Sequence, residues 1–190
     1  MIDLLDRIEN DPFRIASQRA RCFGDQSALG EAELLRALGC IERLPEAFPR
    51  TSVVDAPGGR ITWHDYEHLL WELGESVRRI LVVTRRLRAS APLWAVVERV
   101  SLTGGYGKGR ESWVMLQGQY GGRGRVGTLL QLVRDPEVEG HALYALRLLK
   151  APEAREDAVR LLNHRRAWVR KEARSYLAKL WPETHRHPAS

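Results

Sequence analysis

Cysteine is nearly absent: the 190 residues contain only Cys22 and Cys40. Two thiols are too few for a disulfide framework and fall short of any zinc signature. The expected setting is therefore a reducing cytoplasm. Also missing is any apolar run near the roughly 18 residues that a membrane-crossing helix requires. The opening stretch MIDLLDRIEND sets acids inside its apolar pattern, which argues against a secretory leader. No Ser-His-Asp or Cys-His arrangement is legible. Against these absences, 44% hydrophobic and 28% charged residues support a packed core and exclude global disorder. The length suits one domain, or one domain with a small appendage.

Acids are scarce in one region. Residues 78–134 carry 11 basic and 2 acidic side chains, whereas residues 1–77 carry 8 basic and 14 acidic ones. The remainder, 135–190, carries 11 basic and 8 acidic. Such a basic middle attracts nucleic acid, an acidic protein or anionic lipid. It also fits a solubilising face, or a surface docked on the chain's own acidic part.

Helical periodicity dominates the pattern. Helices are expected over 2–10, from Asp11-Pro12 to Gly24, and over about 29–44, where Leu34, Leu35, Leu38 and Ile41 form a stripe. Residues 51–62, around Ala56-Pro57-Gly58-Gly59, read as a small β-hairpin or an irregular loop. Thr62 and Asp65 then match a capping box opening a helix toward Leu87, which Gly74 has the means to bend. Ser90 and Pro92 start another. The stretch 103–127 is rich in glycine and basic residues, and reads as a connection between a helical N-terminal part (1–102) and the C-terminal helices.

The C-terminal third repeats itself. Shifting by 31 residues lays Val138 on Val169, Ala142 on Ala173, Leu146 on Leu177 and Leu130 on Leu161. Two helices per period of about 30 to 45 residues is the pattern of an α-solenoid. The segments Asp135-Pro136-x-Val138-x-x-x-Ala142-x-x-Ala145-Leu146 and Trp168-Val169-Arg170-x-x-Ala173-x-x-Tyr176-Leu177 resemble HEAT-like repeats, over about residues 123–181. The first unit departs from that pattern with Glu139 where the second has Arg170, and the second has Arg166 in place of the aspartate. The expected fold is all-α: a short HEAT-like α-solenoid, a helical N-terminal part, and a tail over 182–190 expected to fray. The resemblance implies a binding scaffold before it implies chemistry.

Sharper motifs compete with plainer readings. Gly122-Arg123-Gly124-Arg125-Val126-Gly127 spells a dinucleotide fingerprint, but the expected next element is a helix and not a strand. Thr103 to Gly109 fails the P-loop spacing. What survives is a loop able to clasp phosphate with backbone amides, Lys108, Arg110, Arg123 and Arg125, or else a mobile surface linker. Among six tryptophans, Trp168 reads as a repeat-packing residue, while Trp113, set between basic loops, is the candidate for a functional one. His64 and His68 have metal-binding spacing without a third ligand, and His185 and His187 sit in the tail. Neither pair is expected to hold a metal, and no cofactor is expected.

The leading expectation is a non-enzymatic scaffold that holds a protein partner, with Arg170, Lys171 and Arg174 projecting from the last repeat. A bacterial adaptor or a toxin-neutralising immunity protein fits it. The alternative is nucleic-acid binding through Arg78, Arg79, Arg85, Arg86, Arg88, Lys108, Arg110, Arg123 and Arg125, with phosphate contacts and steep salt dependence. An enzymatic form of that alternative resembles HEAT-like alkylpurine DNA glycosylases, whose site residues have no match here.

Overall fold

In the computed structural model, residues 30–44, 46–48, 50, 54–56 and 59–182 are described. The helices expected over 2–10 and 11–24, Cys22 and the tail 183–190 lie outside the described residues. The chain divides into two compact units, Met1–Trp113 and Val114–Ser190. The division falls inside the 103–127 stretch, within a helix that separates its two glycine-rich segments. No helix among the described residues is long and apolar enough to cross a membrane.

In the first unit, helix α1 (Glu31–Leu38) runs on into a 3-10 turn, Gly39–Arg43. The Gly30 N–H donates to Glu33 Oε2 at 2.7 Å, which satisfies one donor that a helix start leaves open. Leu34, Leu38 and Ile41 are buried, at the helical spacing their pattern requires. Strands β1 (Val54–Ala56) and β2 (Gly59–Ile61) pair antiparallel, with Val54 opposite Ile61 and Ala56 opposite Gly59. All other regular structure among the described residues is helical.

Helix α2 (Trp63–Val83) opens on the capping box. The Thr62 N–H and hydroxyl donate to Asp65 Oδ2 at 2.7 and 2.8 Å. Its buried stripe includes Leu70, Leu73, Val77 and Leu81. It ends at Val83, short of Leu87, because Thr84 leaves helical geometry and a 3-10 turn, Arg85–Ala89, comes next. Gly74 does not break α2. A Cβ there would lie 2.2 Å from Ser112 Oγ and 2.9 Å from Trp113 Nε1, so the glycine admits a close approach. Helix α3 (Ala91–Leu102) is capped by Ser90, whose Oγ accepts the Leu93 N–H at 3.1 Å and donates to Glu31 Oε1 at 2.6 Å.

The glycine-rich stretch Gly104–Arg110 is a pair of 3-10 turns, kinked at Gly107 and packed against α2. A Cβ on Gly105 would come within 2.2 Å of the Glu46 carbonyl, and one on Gly109 within 2.8 Å of the Glu67 carbonyl. Gly107 has φ +56, a backbone region that disfavours side chains. These glycines serve close packing, and the mobile-linker reading is corrected for this segment.

Helix α4 (Glu111–Tyr120) contains the division between units. The second unit continues with α5 (Val126–Leu132), α6 (Glu139–Leu148), α7 (Arg155–Leu161) and α8 (Ala167–Leu180). Its core joins Leu129, Val138, Ala142, Leu146, Ala158, Leu161, Val169, Ala173, Tyr176 and Leu177. Helix α5 packs on α6, α7 on α8, and α6 on α8. The residues matched by the 31-residue shift are thus buried in both copies, save Leu130, which is half-buried. The turns into α6 and α8 differ. Asp135 Oδ1 accepts the Glu137 N–H at 3.0 Å, whereas the second copy has no such aspartate. There Arg170 Nη1 donates to the His164 and Arg165 carbonyls at 2.7 and 2.9 Å.

Candidate functional site

The first unit uses most of its candidate cations internally. Arg78 Nε pairs with Glu75 Oε2 at 2.8 Å, and Arg79 Nη2 donates to Ser76 Oγ at 3.1 Å. Arg88 Nε donates to the Leu81 carbonyl at 2.9 Å. Arg110 is buried at 1% exposure, its Nε on the Gly107 carbonyl at 2.9 Å and its Nη1 on the Ser101 carbonyl at 3.2 Å. Its role is to tie the glycine turn to the end of α3, not to meet a phosphate. Only Arg85, Arg86 and Lys108 of this unit's candidates are exposed.

Trp113 is fully buried, and its Nε1 donates to the Leu70 carbonyl at 2.8 Å. The expectation of a functional Trp113 is therefore corrected: the space above Gly74 lets the indole satisfy its N–H inside the core.

A cleft of about 510 Å³ in this unit is lined by His64, Glu67, His68, Trp71, Lys108 and Glu111. The Glu67 carboxylate is already engaged, accepting the Lys108 N–H at 2.9 Å. His68 Nε2 lies 3.7 Å from Glu72 Oε1, beyond hydrogen-bond length. Among the described residues, no group of three or more metal-ligating side chains comes together. The cleft offers mixed charge and no Ser, Thr or Cys nucleophile.

The second unit presents a different surface. Trp168, on α8, is 42% exposed. Its ring lies over α6, with centroid 4.8 Å from His141 at 48°. A Cβ on Gly140 would sit 2.3 Å from the Trp168 ring, so that glycine provides the seat. Burial, then the nearby Arg166 charge, pushes His141 down to about 4, which leaves the imidazole neutral near neutral pH. Arg147 pairs with Glu172 and lies 5.2 Å over the Tyr144 ring.

Further along α8, Lys171 and Arg174 are exposed, as is Arg165 in the turn before it. The side chains of these three make no hydrogen bond or ion pair among the described residues. Arg170 does not join them, since its guanidinium folds back on two carbonyls. Arg123 pairs with Glu153 at 2.8 Å, and Arg125 is half-buried.

Gly122-to-Gly127 leads from a 3-10 turn into α5, and α6 comes after it. Among the described residues of this unit there is no strand to complete a dinucleotide fold.

Sequence reasoning missed the exposure of Trp168 and its proximity to His141. One signal was available. The 31-residue shift lays Trp168 on Glu137, the position preceding the buried Val138 and Val169. A glutamate there marks a position that tolerates water, so a tryptophan in the second copy is out of keeping with a purely packing role.

Compared with known proteins, the chain matches no family model, no curated protein and no solved structure.

Proposed function

We propose that this chain is a non-enzymatic, cytoplasmic protein-recognition module whose C-terminal unit is a short HEAT-like solenoid. The observation that carries the reading is the equal burial of Val138 and Val169, Ala142 and Ala173, and Leu146 and Leu177, with α6 packed directly on α8. Two copies that bury the same positions and stack their second helices build a surface by repetition, the means by which solenoids bind partners. An adaptor or immunity protein uses such a surface without performing chemistry.

The state of the cations favours this reading over the nucleic-acid one. Arg78, Arg110 and Arg123 are engaged with acids or carbonyls, and Trp113 offers no face for a base. Binding driven by phosphate neutralisation needs many uncommitted cations along one track.

The test is fluorescence anisotropy of the full chain with labelled single- and double-stranded DNA and RNA across salt concentrations. The expected result is no saturable binding even at low salt. A photo-crosslinker at Ser175 should capture a polypeptide from host extract, and unlabelled chain should compete it away. Tight oligonucleotide binding with a steep log–log salt slope would overturn the proposal.

A further inference from the structure

We propose that the face of α8 bearing Trp168, Lys171 and Arg174 docks an acidic segment of a partner protein that presents an apolar side chain to Trp168. The inference rests on the protein-recognition reading and names its partner's chemistry. Trp168 is the largest exposed side chain of its helix, yet it is already fixed by the seat over Gly140 and the ring of His141. A fixed aromatic loses little rotamer freedom on binding, which is why tryptophan is frequent among residues that dominate interfaces.

The helix that carries it and the turn before that helix are strongly basic. Residues 165–179 contain six basic side chains and one acidic one. That acid, Glu172, is held by Arg147 and neutralises nothing else on the face. Arg165, Lys171 and Arg174 are exposed, and their side chains make no hydrogen bond or ion pair among the described residues. Lys171 lies one turn after Trp168 and Arg174 one turn after Lys171, and all three side chains are exposed. An apolar anchor bordered by uncompensated cations is complementary to an acidic segment with a buried apolar residue.

A nucleic acid fits this face less well. The two guanidiniums that would lengthen a phosphate track, Arg147 and Arg170, are turned to a carboxylate and to backbone carbonyls. That leaves Arg165, Lys171 and Arg174 as the exposed cations beside Trp168 in sequence, few for a phosphate track.

The experiment is selection of random peptides displayed on phage against the full chain, and then titration of synthetic copies of the enriched peptides. Enriched peptides should be net acidic with an apolar residue. Trp168→Ala should weaken them roughly thirtyfold, as loss of an anchor residue does. Lys171→Glu with Arg174→Glu should weaken them at least as much. These positions are on the surface, and circular dichroism should confirm that the variants stay folded. Arg85→Glu with Arg86→Glu, in the other unit, should leave affinity unchanged.

Peptides without acidic bias, or acidic peptides insensitive to the α8 variants, would overturn the inference while leaving the recognition reading in place. Failure to enrich any peptide would overturn the inference too. If an oligothymidylate then bound in a manner lost with Lys171→Glu and Arg174→Glu, both readings would fall.

Discussion

Tyr176→Phe isolates the value of one buried hydroxyl. Tyr176 is fully buried on α8, and so are Ala151 and Ala154 in the turn that leads into α7. The hydroxyl accepts the Ala154 N–H at 3.1 Å and donates to the Ala151 carbonyl. Phenylalanine keeps the ring packing but leaves both backbone groups without this partner. Each unsatisfied buried group costs about 1–3 kcal/mol. With some relaxation, the variant should lose about 2–4 kcal/mol of stability near neutral pH.

A second signature comes from ionisation. Burial pushes the phenol up from 10.0 to about 12, with smaller opposing and reinforcing effects from the Ala154 N–H, Glu153 and Asp157. The folded state thus keeps its proton after the unfolded state has lost it. The contribution is full below pH 10 and falls away as pH rises through 12. At about 1.4 kcal/mol per unit, about 2–3 kcal/mol of the difference should vanish over that window. Urea denaturation of both proteins by circular dichroism, at neutral and alkaline pH, measures the gap. Exchange at the Ala154 amide gives the local check. A variant within half a kcal/mol or so of the parent, with a gap indifferent to pH, would refute the reasoning.

Two further perturbations address the same unit. His141 is held down to about 4 against an ordinary 6.5, so the unfolded state takes up a proton first on acidification. Stability should be full above pH 6.5 and drop as pH falls toward 4, and His141→Gln should flatten that acid limb in thermal melts. An unchanged limb would assign the acid sensitivity to other groups. A Cβ on Gly118 would lie 2.4 Å from the Ala145 Cα, so Gly118→Ala forces α4 and α6 apart and should cost about 1–3 kcal/mol. Gly124, with nothing within 4 Å of its Cβ position, should accept alanine within about 0.5 kcal/mol in the same denaturation assay.

Local signals were the legible ones. The Thr62–Asp65 box, the Ser90 cap and the stripe from Leu34 to Ile41 each involve residues a turn or two apart, so their spacing alone carries the prediction. The 31-residue shift was legible because buried positions keep their size in both copies. Contacts made across long stretches of sequence were not. Gly107 yields to Glu67, forty residues earlier, since a Cβ there would be 2.0 Å from Glu67 Oε1. Nothing near Gly107 in sequence announces that carboxylate, so the glycine cluster read as a mobile linker or a loop open to phosphate. The tryptophans failed for the same reason. Whether Trp113 or Trp168 meets water depends on what packs above Gly74 and Gly140.

The two copies share their interior but not their charge. Glu139 is buried in the first, where it takes Arg160 at 3.0 Å and His164 at 2.9 Å. The corresponding residue of the second copy is Arg170, bound to carbonyls. A duplicated sequence invites each half to fold in the other's place, because apolar side chains cannot tell one copy from its twin. Here an exchange would set a guanidinium against Arg160 and His164, and would leave the His164 and Arg165 carbonyls facing a carboxylate. Opposite charges at this one position would thus penalise the exchange and favour the order in which the two segments are found.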